Sequence, residues 1–308
     1  MNTAAHPPLT GSHCRRIGVI ATHAFTQLAR MKVFYFLAIF AVIAIASNFF
    51  DLPQHVGPES VGANVLRSIK SWSLGAMTLF AVVLSVVATA LLLPKDVEDR
   101  TLYTILAKPV PRFDYLAGKL LGVLLLVMVS LGLMDVLMTV VLQIRTSMVV
   151  EQQTAMAAAM GYTPDAIASL RGETMANGPN WSLQGAVCAV FLRASIMASL
   201  ALLISTFSTS TLFTTIVSFL VYFIGHFQAD ARDFYLQAGH AGEGSFARVA
   251  ALAVSLVLPD FQLCNVIDAV IEGQMLPLFL LGKLALVAVY YALFFTIASW
   301  FIFADKEF

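Results

Sequence analysis

The chain has 308 residues, 59% of them hydrophobic and 12% charged, with 18 Lys and Arg balanced by 18 Asp and Glu. A soluble globular chain is about 45–50% apolar and about 25% charged, so this one has too little polar surface for a water-exposed body of its size. The lack of a basic excess excludes electrostatic binding of nucleic acid. Three widely spaced cysteines, Cys14, Cys188 and Cys264, fit neither a disulfide framework nor a zinc site.

Residues 14–31 place Ile17, Ile20, Ala21, Ala24, Phe25 and Leu28 at helical spacing, with Arg15, Arg16, Gln27 and Arg30 elsewhere. That pattern predicts an amphipathic connecting helix on the inner leaflet; a cytosolic extension of the first span is the alternative. The first thirty residues carry no apolar signal-peptide core, so the block from Val33 reads as an uncleaved span.

Charge is absent from residues 71–94, 120–134, 194–229 and 284–304. A helix needs about 20 residues to cross the hydrocarbon, and six segments qualify: 33–50, 73–93, 119–144, 183–205, 211–228 and 276–303. The polar run Ser205-Thr206-Phe207-Ser208-Thr209-Ser210-Thr211 suits a turn between two spans, with one long tilted helix as the alternative. Residues 145–182 and 229–275 then form outer segments. The first reads as one or two amphipathic helices. The second holds the apolar stretch 249–258, too short to span and read as re-entrant or interfacial. The expected fold is an all-α polytopic membrane protein, a single transmembrane domain over residues 1–308.

Orientation follows the bias of Lys and Arg toward the cytoplasm. With both termini inside, the inner segments hold Arg15, Arg16, Arg30, Lys32, Lys95, Arg100, Lys108, Arg112, Lys119 and Lys306; the outer ones hold Arg67, Lys70, Arg145, Arg171, Arg232 and Arg248.

Between spans two and three, residues 94–118 are too long and too charged for a simple reversal. Val97, Leu102, Ile105 and Leu106 give an apolar stripe, and Lys108-Pro109 interrupts it. A short helix parallel to the membrane, offering a polar platform, is the expectation; a solvated loop face is the plainer reading.

The order Glu98, Arg100-Thr101-Leu102, Leu106, Pro109-Val110, Arg112, Tyr115-Leu116, Gly118-Lys119 and Gly122 resembles the signature of ABC-2 type transporter permeases. The amphipathic start, the late Leu258-Pro259-Asp260-Phe261 and the short C-terminal tail are similar to family features too. Arg100 stands where many members have Gly, which points to a subgroup such as Nos-type permeases. The resemblance implies a transmembrane subunit of an exporter in the inner (plasma) membrane, dimeric with itself or a similar chain. It also implies that residues 94–118 form a coupling helix. Glu98, Arg100, Thr101, Leu102, Pro109 and Arg112 would dock a separate ABC ATPase that holds ATP and Mg. An outer-facing accessory protein is a further partner it allows. The short helices before span six would be similar to the family's outer gate.

The chain has no Gly-x-x-x-x-Gly-Lys-[Ser/Thr] loop of its own and no catalytic or metal constellation, so neither catalytic residues nor a cofactor is assigned to it. Ionisable residues inside spans are functional candidates by default. Asp135 in span three and Arg193 in span four would form an ion pair if they share a depth; a substrate-path contact and unrelated placements are the other readings. Met134 and Met138, one turn apart, suit soft metal ions but also an ordinary core. Two rival functions remain open: a secondary transporter, which would show paired broken helices, and an intramembrane enzyme, which would need convergent catalytic groups around Asp135.

Overall fold

The computed structural model describes residues 13–47, 58–98, 111–208, 210–236 and 259–305, and every regular element among them is helical. In chain order these are α1 (His13–Ala29), α2 (Lys32–Ala46), α3 (Pro58–Glu98), α4 (Arg112–Ala159), α5 (Pro164–Ala176), α6 (Trp181–Phe207) and α7 (Thr211–Leu236). A 3-10 turn (Phe261–Cys264), α8 (Ile267–Ile271) and α9 (Leu278–Asp305) follow.

α6 is the centre of the bundle, packed against α3, α4, α7 and α9. Ala186, Ala189, Ala194, Ala198 and Ala201 along it are fully buried. In a membrane, helices gain little from apolar burial as such, so small side chains that admit close backbone approach carry the packing. α7 and α9 turn Phe213, Ile216, Leu220, Phe223, Leu286 and Leu293 outward, faces suited to hydrocarbon.

Among the described residues, four stretches are long and apolar enough to cross a membrane: Asn64–Leu92, Arg112–Ala159, Pro164–Phe207 and Leu278–Ala304. The chain is thus a multi-pass membrane protein. Two of the six expected spans are shorter: α2 has 15 residues, and the apolar part of α7 is Thr211–Phe227. The helix breaks between α6 and α7, where Ser208 is extended at φ −111° and ψ 143°, so the continuous alternative does not form.

Two helices outrun their predicted spans. α3 begins at Pro58 and α4 continues through 48 residues to Ala159, so residues 58–72 and 145–159 continue these two helices without a break. The span limits were placed where charge begins, but Arg145 and Glu151 end only the apolar run. Good helix formers such as Gln and Ala carry the helix onward. α4 stops at Gly161, whose φ of +79° is a left-handed turn that glycine adopts freely. α5 starts on Thr163, whose hydroxyl accepts from the Ala166 N–H at 3.4 Å, with Pro164 at the first helical position. The 249–258 stretch lies outside the described residues.

Candidate functional site

The end of α3 and the start of α4, which flank the expected coupling segment in sequence, are tied together. Lys119 Nζ lies 2.7 Å from Asp96 Oδ2, and the Tyr115 hydroxyl donates to the same oxygen at 2.5 Å. All three side chains are buried, and Lys119 Nζ also sits 5.7 Å from the centre of the Tyr115 ring. A buried carboxylate is tolerable only when its lone pairs are met by charge and hydrogen bonds. The end of α3 and the start of α4 are therefore held together at one clamped point.

α1 packs on the start of α4 at backbone distance. A Cβ on Gly118 would come within 2.7 Å of Ile20 Cβ, and one on Gly122 within 2.6 Å of Ala24 Cβ and 2.8 Å of the Ala21 carbonyl oxygen. The four-residue spacing of the glycines matches that of Ile20 and Ala24, so two parallel helices mesh over one turn. Ala21, Ala24 and Leu28 form the buried face of α1, three of the residues on its predicted apolar side. At the same end, His13 Nδ1 lies 3.0 Å from Asp114 Oδ2, and Arg16 Nη1 lies 4.0 Å from it. Asp114 stands in the first turn of α4, where a carboxylate is also favoured by the helix dipole.

Arg112 turns the other way. Its Nη1 donates to the Phe303 carbonyl oxygen at 3.0 Å and also to that of Ala304, the last carbonyls of α9. A cation at a helix C-terminus satisfies orphan acceptors and the negative end of the dipole together. The Tyr115 ring stacks on Phe303 at 6.2 Å, and Phe113 meets Trp300 edge-on at 6.4 Å. Of the predicted docking residues, Arg112 is thus engaged inside the chain. Glu98 is the last residue of α3, while Arg100, Thr101, Leu102 and Pro109 lie outside the described residues.

Asp135 and Arg193 do not meet. Asp135 Oδ1 accepts from Gln184 Nε2 at 3.1 Å, in the first turn of α6. Arg193 Nη2 donates to the Phe261 carbonyl oxygen at 3.1 Å. Nine residues of helix separate Gln184 from Arg193, a rise of about 13 Å. The expected ion pair fails because depth was judged from each residue's place in its apolar run, and α4 extends well past its run. The Asp135→Ala and Arg193→Ala losses of unfolding free energy should accordingly add within about 0.5 kcal/mol; a coupling above that, measured in a double-mutant cycle, would restore the pair.

Arg193 instead holds a buried plug. Phe261 is fully buried, its ring 5.2 Å from that of Tyr222. A Cβ on Gly225 would come within 2.8 Å of both the Phe261 ring and the Pro259 carbonyl oxygen. Gln262 Nε2 donates to the His226 carbonyl oxygen at 2.9 Å. Met134 and Met138 lie in the main apolar cluster. Among the described residues, no three His, Cys, Asp or Glu side chains come together as a metal site.

Residues 18–230 match the family model described as ABC-2 family transporter protein. The chain belongs to that family. It is therefore a transport subunit of the ABC permease kind, set among membrane lipids, with an ABC ATPase as partner. No curated protein matches it.

In this ABC-2 chain the signature residues acquire separate jobs. Gly118 and Gly122 seat α1, Lys119 and Tyr115 join the start of α4 to the end of α3 through Asp96, and Arg112 holds α9. Asp96 and Asp114 were absent from the sequence-derived set. Their signal was available: each is an acid at the margin of an apolar run, with cations close by in sequence.

Proposed function

We propose that this permease is the membrane half of an ATP-driven exporter, dimeric with itself or a similar chain, with six spans and both termini on the cytoplasmic face of the inner membrane. ATP and Mg belong to the partner ATPase, which docks on residues 94–118; Glu98, Arg100, Thr101, Leu102 and Pro109 are its contacts. An outer-facing accessory protein is a partner this arrangement permits. What supports the reading is the clamp at the platform's base. A push on a floppy loop would be absorbed by the loop, whereas a push here is passed through Asp96 and Lys119 to α3 and α4 together. α1 moves with them through the glycine seat, and α9 through Arg112.

Co-purification in mild detergent with the products of neighbouring genes tests this. A stoichiometric subunit carrying a phosphate loop is the expected partner. Arg100→Glu should release that subunit and leave the thermal midpoint of the permease unchanged. Arg112→Glu should release it and also lower the midpoint. It deletes charged hydrogen bonds of about 1.5–3 kcal/mol and sets an anion against the α9 C-terminus. Full ATPase recovery in both variants would remove the platform from the mechanism.

A further inference from the structure

α4 carries a polar row through an apolar stretch. Counting in fours from Asp135 gives Thr139, Gln143, Ser147 and Glu151, all polar, and residues four apart are neighbours on a helix surface. Asp135 is the only charged residue from Leu120 to Ile144. It lies 16 residues past Lys119, about 24 Å along the helix and within a hydrocarbon layer of roughly 30 Å. Glu151 lies 16 residues further on. Gln143, Ser147 and Glu151 all line a cavity of about 550 Å³, which Arg171 of α5 lines as well.

The inner end of the row is short of partners. Asp135 Oδ1 accepts from Gln184 Nε2, and among the described residues the carboxylate has no cation beside it. Ser130, Thr146, Ser147 and Thr154 of α4 each donate to a carbonyl oxygen three or four residues back. Thr139 Oγ1 is shielded and has no hydrogen-bond partner among the described residues. Glu151 shares its cavity with Arg171, so the far end of the row holds both signs and the inner end only the negative one. The ground beside Asp135 is open: Asp135 is half-buried, Met128 is exposed, and a Cβ on Gly132 meets nothing within 4 Å. An ionised side chain within a span faces water or protein, and not lipid.

We infer that Asp135, with Gln184 beside it, is a binding site for an organic cation, and that the polar row leads from it to the cavity at the far end of α4. Gln184 holds one carboxylate oxygen and leaves Oδ2 for the ligand. In a site of low dielectric one unneutralised charge selects strongly for its opposite, while Met128 and the open face at Gly132 take an apolar body. The inference deepens the permease reading and rests on it for the cargo's movement, but not for its binding. It makes the cargo a cation-bearing amphiphile.

Binding can be measured on the purified chain in an uncharged detergent. Tetraphenylphosphonium is the cation, and tetraphenylborate is an anion of the same shape. The cation should raise the thermal midpoint, and the anion should not. Cys188 is exposed on α6 one turn beyond Gln184, so the cation should also slow its modification by N-ethylmaleimide, followed by mass spectrometry. Asp135→Asn keeps the side-chain shape and an oxygen for Gln184, and should weaken cation binding about tenfold or more. Asp135→Glu keeps the charge and should retain most of it. Equal binding of the two ions, or binding of neither, would overturn the site. So would wild-type affinity in Asp135→Asn, or cation binding that leaves Cys188 unprotected. A loss with Glu151→Gln and none with Asp135→Asn would put the cation in the cavity and overturn the assignment as well. No ATPase takes part, so a failure here is separate from a failure to recover the partner.

Discussion

Lys119→Ala is expected to be the most damaging single substitution at the platform. It leaves the buried Asp96 carboxylate without the ammonium that lies 2.7 Å from it. Removing one partner of a buried ion pair costs about 3–5 kcal/mol, far more than the pair contributes relative to an apolar replacement. The prediction therefore has two halves. The single variant should unfold at markedly lower denaturant, and Lys119→Met combined with Asp96→Leu should recover most of the loss. The double variant separates stability from coupling: it should fold, yet transmit less of the ATPase stroke, since two charges no longer fix the platform's ends. A loss below about 1 kcal/mol for Lys119→Ala would mean that water enters the pair, as it does at exposed salt bridges.

Gly122→Val should unseat α1. The new side chain must occupy space already held by Ala24 Cβ and the Ala21 backbone, and neither can rotate away as a flexible side chain would. Overpacking of this kind costs about 1–3 kcal/mol, and here it falls on one helix pair, so the expected sign is local. Protease cleavage within α1 should appear before global unfolding. Gly132→Val is the matching control on the same helix, because a Cβ there meets nothing within 4 Å. If both variants behave alike, the glycine seat has no special role.

The membrane class, the amphipathic α1 and the α6–α7 turn were legible because each depends on local composition or a 3.6-residue period. The Gly118-Lys119-x-x-Gly122 motif was legible as a pattern, but its physical meaning was not, since it needs Ile20 and Ala24 from a helix a hundred residues earlier. The clamp was hidden for the same reason: Asp96 and Lys119 become neighbours only once α3 and α4 are antiparallel. The helical state of Lys70 was not legible: it lies inside a 41-residue helix, because one or two charges stop a hydropathy run without stopping a helix.

The 48 residues of α4 amount to a rod about 72 Å long, with the glycine seat at one end and, at the other, a cavity of about 550 Å³ lined by Gln143, Ser147, Glu151 and Arg171. Such a rod converts angle into displacement. Pivoting near its middle, a tilt of about 5° carries each tip roughly 3 Å, in opposite directions. Under the proposed coupling, a push at the glycine-seat end would reshape the hollow at the far end directly, with no chain of small rearrangements in between. In that proposal the clamp delivers the push to the helix, and the stiffness of the helix sets how much of it reaches the far end.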